Sequence, residues 1–184
     1  MEQKDYKLEI VSQLIGKEFH VRELAKLLKT NHTTILRKLK ELSDENVLDF
    51  KEVGRSNVYF LKKTSESRAY IYIVEQYKLK QLLGKYSFLR NIVDKIQKGN
   101  RVQLAVLFGS YSKELAKKDS DIDIYIETSN TKIKKDLEIL NSKLNVKIGK
   151  YNKDNLLIKE IEKNHVIIKG VELFYERSKF FEKD

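Results

Sequence analysis

The sequence predicts an α/β (α+β) chain of three parts, and three observations carry that prediction. Apolar residues recur at helical spacing in the first quarter of the chain and again in its middle. Two short runs of β-branched and aromatic residues flank a glycine-containing turn. Beyond residue 100, strand-length apolar runs alternate with helix-type stretches. We therefore predict domains at residues 1–64 and 101–184, joined by a helical connector at 65–100.

Three amphipathic helices are predicted first, covering residues 5–15, 21–29 and 32–45. Thr30 and Asn31 separate the second helix from the third, because their side chains cap helix starts. Asn46 ends the third helix, since asparagine tolerates the left-handed conformation required there. The residues of the third helix predicted to face inward are Ile35, Leu36, Leu39 and Leu42.

A β-hairpin is predicted after the third helix, because two short β-type runs flank a turn. The runs cover residues 47–53 and 58–61, and the predicted loop is Gly54-Arg55-Ser56-Asn57. Three helices followed by a hairpin make a winged helix-turn-helix.

Residues 31–42 and 54–61 resemble the third helix and the wing of winged-helix transcription regulators. The resemblance implies that the start of the third helix lies against base edges of double-stranded DNA and that the wing enters a minor groove. Winged helices also serve as protein-interaction modules, so that alternative stays open. The implied DNA-binding residues are His32, Thr33, Thr34 and Arg37 at bases, Lys38 and Lys40 at phosphates, and Arg55 at the wing tip.

Residues 65–98 have apolar side chains at helical spacing and are too long for a plain linker. We expect helices there, with Gly84 as a point where the pattern could break and Gly99-Asn100 as the end. These helices are expected to pack on the C-terminal domain or on a second copy of the chain. A homodimer is therefore the expected assembly.

The C-terminal part is predicted to be a small mixed β-sheet flanked by helices. The predicted strands are 102–108, 121–127, 145–149 and 171–175, and the predicted helices are 110–117, 131–144 and 153–163. The first apolar run ends at Gly109-Ser110, and the second contains Asp121 and Asp123.

Asp121 and Asp123 are spaced so that a strand presents both carboxylates on one face. Carboxylate oxygens are ligands that Mg²⁺ prefers in proteins. Gly109-Ser110 opens a predicted helix, and a helix N-terminus attracts phosphate. The pattern therefore predicts a site for a magnesium-bound nucleotide.

Residues 109–124 resemble the motif of the nucleotidyltransferase superfamily that includes DNA polymerase beta, most closely its minimal nucleotidyltransferase branch. The resemblance implies that Asp121 and Asp123 are catalytic and hold Mg²⁺, which assists attack on the α-phosphate of an NTP, with ATP favoured. Lys113 stands where relatives often carry arginine, and Glu114 stands where they often carry glycine. The implied nucleotide-binding residues are Gly109, Ser110 and Lys113.

Active relatives usually add a third carboxylate from a later strand, which helps to bind the catalytic metal. Lys147 occupies the expected position. The nearby acids Glu127 and Asp154 fit poorly, because the first lies on another strand and the second lies in a following turn or helix. Since two-metal chemistry needs both ions held, we expect Mg-NTP binding with weak or absent transfer.

The formal net charge is +10, from 37 Lys and Arg against 27 Asp and Glu, and it favours an anionic partner. The absence of cysteine excludes disulfides and thiolate metal sites. His20 and His32 are too far apart in sequence to predict a zinc site. The first five residues are too charged for a signal peptide, and no apolar run approaches the length of a membrane span. We therefore expect a cytoplasmic protein without membrane association.

Two functions are compatible with these features. The first is a DNA-binding transcriptional regulator or antitoxin whose degenerate nucleotidyltransferase domain senses nucleotide or binds a partner. The second is an active Mg-dependent enzyme that moves a nucleoside monophosphate from an NTP to a HEPN-type toxin, an RNA or a small-molecule hydroxyl. Relatives of the resembled family include antitoxins that transfer AMP to such toxins. The winged helix and Lys147 favour the regulator, and the intact motif favours retained nucleotide binding.

Overall fold

The structure, a computed structural model that describes residues 4–182, divides into two units with separate β-sheets. The first unit contains residues 4–77 together with 181–182, and the second contains residues 78–180. One long helix, Ser65–Lys85, contributes residues to both units. Among the helices of the described range, none has both the length and the apolar character needed to cross a bilayer.

The first unit combines helices with a three-stranded antiparallel sheet. Its elements are α1 (Tyr6–Leu14), β1 (Phe19–His20), α2 (Val21–Leu27), α3 (His32–Asp44), β2 (Leu48–Val53), β3 (Ser56–Leu61) and the first part of α4 (Ser65–Lys85). Strand β3 lies between β1 and β2 and pairs antiparallel with both. The three predicted helices and the hairpin are confirmed, and they form the winged helix-turn-helix arrangement.

Helix α3 begins and ends within one residue of its predicted bounds. The side chain of Asn31 accepts a hydrogen bond of 2.7 Å from the Thr34 N–H, and Asn46 follows the helix with a φ of +61°. Leu36 is 40% exposed, so the prediction that it faces inward is wrong. Successive helical residues point about 100° apart, which places Leu36 beside the apolar stripe. The fully buried residues of the stripe are Ile35, Leu39 and Leu42.

The wing differs from its prediction in its loop and in its partner strand. Val53 pairs with Ser56, so the loop is the two residues Gly54 and Arg55, and Ser56 already belongs to β3. Strand β1 is not predicted from the sequence, because two residues cannot show a period. It is recognisable only through its pairing with β3.

The second unit has a four-stranded mixed sheet with helices, as predicted. Its elements are the rest of α4, α5 (Arg90–Lys98), β4 (Ala105–Phe108), β5 (Ile122–Glu127), α6 (Thr131–Glu138), β6 (Leu144–Gly149), α7 (Leu156–Lys163), β7 (Val166–Lys169) and α8 (Val171–Arg177). The strand order is β6-β5-β4-β7, with β5 and β6 parallel and the other pairs antiparallel. Helix α4 runs through Gly84 without a break, and a 3-10 turn, Ser87–Leu89, separates it from α5.

Two predicted elements of the second unit are wrong. No helix spans residues 110–117, since the chain from 109 to 114 forms a turn that ends where Glu114 adopts a φ of +57°. The last strand is β7 rather than residues 171–175, which belong to helix α8. Gly170 separates β7 from α8 with a φ of +81°, and a Cβ placed there would lie 2.2 Å from the Gln103 carbonyl oxygen.

Candidate functional site

The candidate nucleotide site begins where β4 ends and the chain turns beside β5. Phe108 pairs with Asp123 across the two antiparallel strands, so Gly109 follows directly beside this carboxylate. Gly109 has a φ of +74°, and a Cβ placed on it would lie 2.6 Å from Asp123 Oδ2. Both observations require glycine. The backbone therefore approaches the carboxylate more closely than another residue type would allow.

The turn after Gly109 takes the place of the predicted helix N-terminus. The Leu115 N–H donates to the Ser110 carbonyl at 3.0 Å, and the next bond inward joins the Glu114 N–H to the Tyr111 carbonyl at 3.2 Å. With Glu114 in the left-handed conformation, these bonds form a Schellman motif, which ends a helix. Here it ends a single helical turn. The groups available to a phosphate are therefore the half-buried Ser110 and the backbone of that turn.

The two aspartates of the motif differ in burial. Asp123 lies half-buried within β5, whereas Asp121 is exposed and immediately precedes the strand. Burial raises the pKa of the Asp123 carboxyl, and the charge of Asp121 adds to the rise. A hydrogen bond from Asn145 and the charge of Lys147 act in the opposite direction. The structure thus brings the two carboxylates within electrostatic reach of each other.

The residue beside Asp123 on the next strand is Asn145. In the parallel pair β5–β6, Asp123 is opposite Asn145, and Tyr125 is opposite Lys147. Asn145 Nδ2 donates a hydrogen bond of 2.7 Å to Asp123 Oδ1. The sequence prediction placed Lys147 at the position of a third carboxylate. In the structure, the residue beside Asp123 on β6 is Asn145, two residues earlier, and it too is not an acid.

Lys113, predicted to meet a phosphate, has an acidic partner within the second unit. Its Nζ lies 3.1 Å from Glu160 Oε1 on α7, and both side chains are partly exposed. The sequence gives no indication of Glu160 as a residue of this region, because it lies on a separate helix far along the chain. An incoming phosphate would therefore compete with Glu160 for the Lys113 charge.

The two remaining acids considered from the sequence have other surroundings. Glu127 accepts the Tyr151 N–H at 3.3 Å and pairs with Arg177 at 3.2 Å, at the opposite end of β5 from Asp121. Asp154 is exposed in the segment before α7. Among residues 4–182, no group of three or more His, Cys, Asp or Glu side chains is arranged to hold a metal ion. A cation at Asp121 and Asp123 would need ligands from outside the protein.

The predicted DNA-binding residues lie on α3 and at the wing of the first unit. His32, Thr33, Arg37, Lys40 and Arg55 are exposed, and Thr34 and Lys38 are half-buried. Lys38 Nζ lies 2.8 Å from Glu41 Oε2, so its charge already has a partner. Within the described part of the chain, Arg37 and Arg55 take part in no ion pair. The exposed Lys40 likewise takes part in no ion pair among the described residues, so these three cations of the face are available to an anion.

A cleft of about 710 Å³ opens between the start of α2, the start of α3 and the wing. We call it the wing cleft, and its lining includes His20, Arg22, His32, Leu36 and Arg55. The two histidines, distant in sequence, therefore line the same cleft. Among the described residues, they belong to no group of three or more metal-ligand side chains.

Comparison with known proteins identifies the fold of the second unit. The family described as "Polymerase beta, Nucleotidyltransferase" matches residues 90–179. This part of the chain is a nucleotidyltransferase-fold domain. The nucleotidyltransferase domain thus includes the Gly109 turn, both aspartates and Asn145.

Two further comparisons add less. The crystal structure of the adhesin competence repressor from Streptococcus pyogenes is similar over 49% of this chain and 68% of its own chain, with 15% sequence identity and a TM-score of 0.41. No protein with a curated description matches the sequence.

Proposed function

We propose that this chain is a DNA-binding winged-helix protein whose nucleotidyltransferase domain binds Mg-NTP and transfers nucleotide weakly or not at all. In this role it acts as a transcriptional regulator or an antitoxin-like protein, with ATP as the favoured nucleotide. The observation that carries the proposal is the pair Asp123–Asn145. The motif residues Gly109, Ser110, Asp121 and Asp123 are all present, and the residue that neighbours Asp123 on the adjacent strand is an amide rather than an acid.

Nucleotide binding is supported by the chemistry of the donor set. Asp121 and Asp123 offer hard carboxylate oxygens, and Mg²⁺ is commonly held by one or two carboxylates together with substrate phosphates. Gly109 lets the backbone of the turn lie close to the Asp123 carboxylate, and Ser110 offers a hydroxyl donor beside it. When bound there, Mg²⁺ would neutralise charge on the phosphate oxygens. The two aspartates would hold it, and the turn would orient the nucleotide.

Weak transfer is supported by the neutral amide of Asn145. An amide neither carries the negative charge that a second cation requires nor accepts a proton from an attacking hydroxyl. Asn145 instead fixes the orientation of Asp123 through its 2.7 Å hydrogen bond. Bound nucleotide would therefore remain largely intact, which suits a sensor better than an enzyme.

DNA binding is supported by the exposed arginines of the first unit. Arg37 lies on the exposed face of α3, and Arg55 lies at the tip of a two-residue wing loop. Helices of this kind enter the major groove, while the wing reaches the adjoining groove or backbone. A homodimer, paired through residues 65–98, would place two such helices on a two-fold-related site.

Calorimetry with Mg-ATP tests the nucleotide site. The wild type is expected to bind, and the Asp121→Ala, Asp123→Ala double variant is expected not to bind. Asp154→Ala, which removes an exposed acid of the same unit, serves as the control and should bind like the wild type. Equal binding by the double variant would remove this site from consideration.

Anisotropy measurements with duplex DNA at increasing salt test the winged helix. The wild type should bind at low salt, and removal of one phosphate-binding side chain should reduce the salt slope by about one unit. Arg37→Ala should lose sequence preference, and Arg55→Ala should mainly lose affinity. If the wild type binds no duplex at low salt, the winged helix is a protein-docking module.

An active transferase is the second candidate, favoured by the intact Gly109-Ser110 turn and aspartate pair. Its acceptor would be a HEPN-type toxin, an RNA or a small-molecule hydroxyl. Incubation of the pure protein with labelled ATP, Mg²⁺ and cell lysate separates the two candidates. Brisk Mg-dependent labelling of a protein or RNA supports the transferase, and absence of labelling with retained Mg-ATP binding supports the regulator.

A further inference from the structure

We propose that the wing cleft is a binding site for one phosphodiester of the DNA backbone, formed by Arg22 and Arg55. The inference rests on the proposed DNA binding and extends the contact surface beyond α3 and the wing tip. Arg22 is not among the DNA-binding residues that the sequence predicts. The ligand chemistry is a singly charged phosphate diester held by guanidinium groups.

The balance of charge in the cleft favours an anion. Two arginines and two histidines line it, against one carboxylate, that of Glu23. Arg22 and Arg55 are exposed, and within the described residues neither forms an ion pair. Their guanidinium groups therefore remain available to a ligand. Arginine suits phosphate because its planar fork donates two parallel hydrogen bonds.

The single carboxylate of the cleft is engaged elsewhere. Glu23 Oε2 accepts the backbone N–H of His20 at 2.8 Å, which holds it against the start of α2. This bond satisfies a backbone donor that the helix leaves without an internal partner. Glu23 therefore stabilises the junction between β1 and α2, and it is not paired with either arginine.

His20 holds one wall of the cleft in place. Its Nδ1 lies 3.1 Å from the Asn57 carbonyl oxygen and 3.4 Å from the Ser56 hydroxyl. These contacts hold the start of α2 against β3, and they place Arg22 and Arg55 on the same cleft.

The position of the cleft selects the DNA backbone over a free phosphate. The cleft is bounded on one side by His32 and Leu36, near the start of α3, and on the other by the wing tip at Arg55. These are the elements expected in adjoining grooves, and a backbone strand runs between grooves. The cleft is therefore continuous with the proposed DNA surface.

Salt titration of DNA binding by the full chain tests the site. Arg22→Gln should reduce the slope of log affinity against log salt by about one unit and weaken binding to all duplex sequences alike. Lys26→Gln is the matched control, because Lys26 is an exposed cation of the same helix outside the cleft. Wild-type binding with equal slopes for both variants would overturn the phosphate site and leave the proposed DNA binding intact. No wild-type binding at low salt would instead defeat the proposed function itself.

Calorimetry with inorganic phosphate distinguishes the two sources of this ligand chemistry. The wild type is expected to bind the free ion only weakly, because one strand of DNA supplies neighbouring contacts that the ion lacks. Tight phosphate binding that Arg22→Gln abolishes, with an unchanged DNA salt slope, would assign the cleft to a free anion and overturn the proposal.

Discussion

Glu114 holds a backbone conformation that most residue types avoid. Its φ of +57° closes the Schellman motif after Ser110, and this position is the one at which relatives of the resembled family often carry glycine. A side chain costs about 1 kcal/mol or more in this conformation. The ion pair with Lys85, at 2.9 Å, is exposed and offsets little of that cost.

We predict that Glu114→Gly is more stable than Glu114→Ala by about 1 kcal/mol. Both variants lose the Lys85 ion pair, so their difference isolates the backbone strain. Urea denaturation monitored by circular dichroism measures it. Equal stability of the two variants would show that the turn does not require the left-handed conformation.

Asp123 is a carboxylate whose ionised form is destabilised by burial. Its carboxyl pKa is raised above the ordinary value of 3.8, chiefly by burial. Between the two values the folded state retains a proton that the unfolded state has lost, so stability falls as pH rises through this range. Above it, the ionised carboxylate is held at a cost that Mg²⁺ binding would relieve.

We predict that Asp123→Asn raises the thermal midpoint of the metal-free protein at neutral pH. The gain should shrink as pH falls from the raised pKa of the folded state towards 3.8, and it should stay small below 3.8, where the wild-type carboxyl is protonated in both states. Asp121→Asn, which removes the neighbouring charge, should give a smaller gain in the same direction. Thermal scans across pH measure both effects, and a lower midpoint for Asp123→Asn at neutral pH would contradict the cause assigned to the raised pKa.

The register of β5 and β6 decides which residue completes the site. Asn145 lies beside Asp123, and Lys147 lies beside Tyr125. An acid at position 145 would join the two aspartates at the same place, whereas an acid at position 147 would not. The two positions provide matched variants on one strand.

We predict that Asn145→Asp raises Mg-dependent nucleotide transfer by at least about tenfold, since one electrostatic group at a reacting centre often contributes about 10²–10³. Lys147→Asp should give no comparable gain. Release of pyrophosphate from NTP in the presence of acceptor measures the rate. A gain with Lys147→Asp alone would support the register inferred from the sequence over that of the structure.

Sequence patterns correctly predict those helices and strands that are determined by residues within or next to them. Helix α3 is an example, because the Asn31 cap and the buried stripe of Ile35, Leu39 and Leu42 lie within or beside it. The exchange of β7 and α8 shows the limit. Residues 166–168 and 171–175 are both short apolar runs, and only the sheet position beside β4 and the turn at Gly170 distinguish strand from helix.

The residues of the candidate nucleotide site also fall into two groups: those that a local sequence motif reveals, and those that come from distant parts of the chain. Gly109, Ser110 and the two aspartates form one continuous motif that the sequence displays. Asn145 enters through a strand register and Glu160 through the packing of a separate helix. Neither follows from local spacing, because both depend on how distant segments meet.

The molecule as a whole carries a formal charge of +10, with a sequence pI of about 9.5. Such a surplus attracts any polyanion, so binding to DNA does not by itself identify a binding face. A test of the binding face must therefore distinguish the effect of where the positive charges lie from the effect of the total charge.

We predict that Arg37→Gln, Arg55→Gln loses most duplex affinity, whereas Lys132→Gln, Lys135→Gln keeps it. Each double variant removes two positive charges from the whole chain, and the two lysines are exposed on α6 of the other unit. Anisotropy at matched salt compares them. Equal losses would indicate attraction by net charge rather than by the winged helix.

Helix α4 has a consequence for amide hydrogen exchange. In a continuous α-helix, the N–H groups of residues 78–81 donate to the carbonyls of residues 74–77. Local opening of the helix at these residues exposes the N–H groups to solvent. Their exchange should therefore measure how readily the middle of α4 opens, while amides at buried Ile10 and Val106 report the protection of their own units.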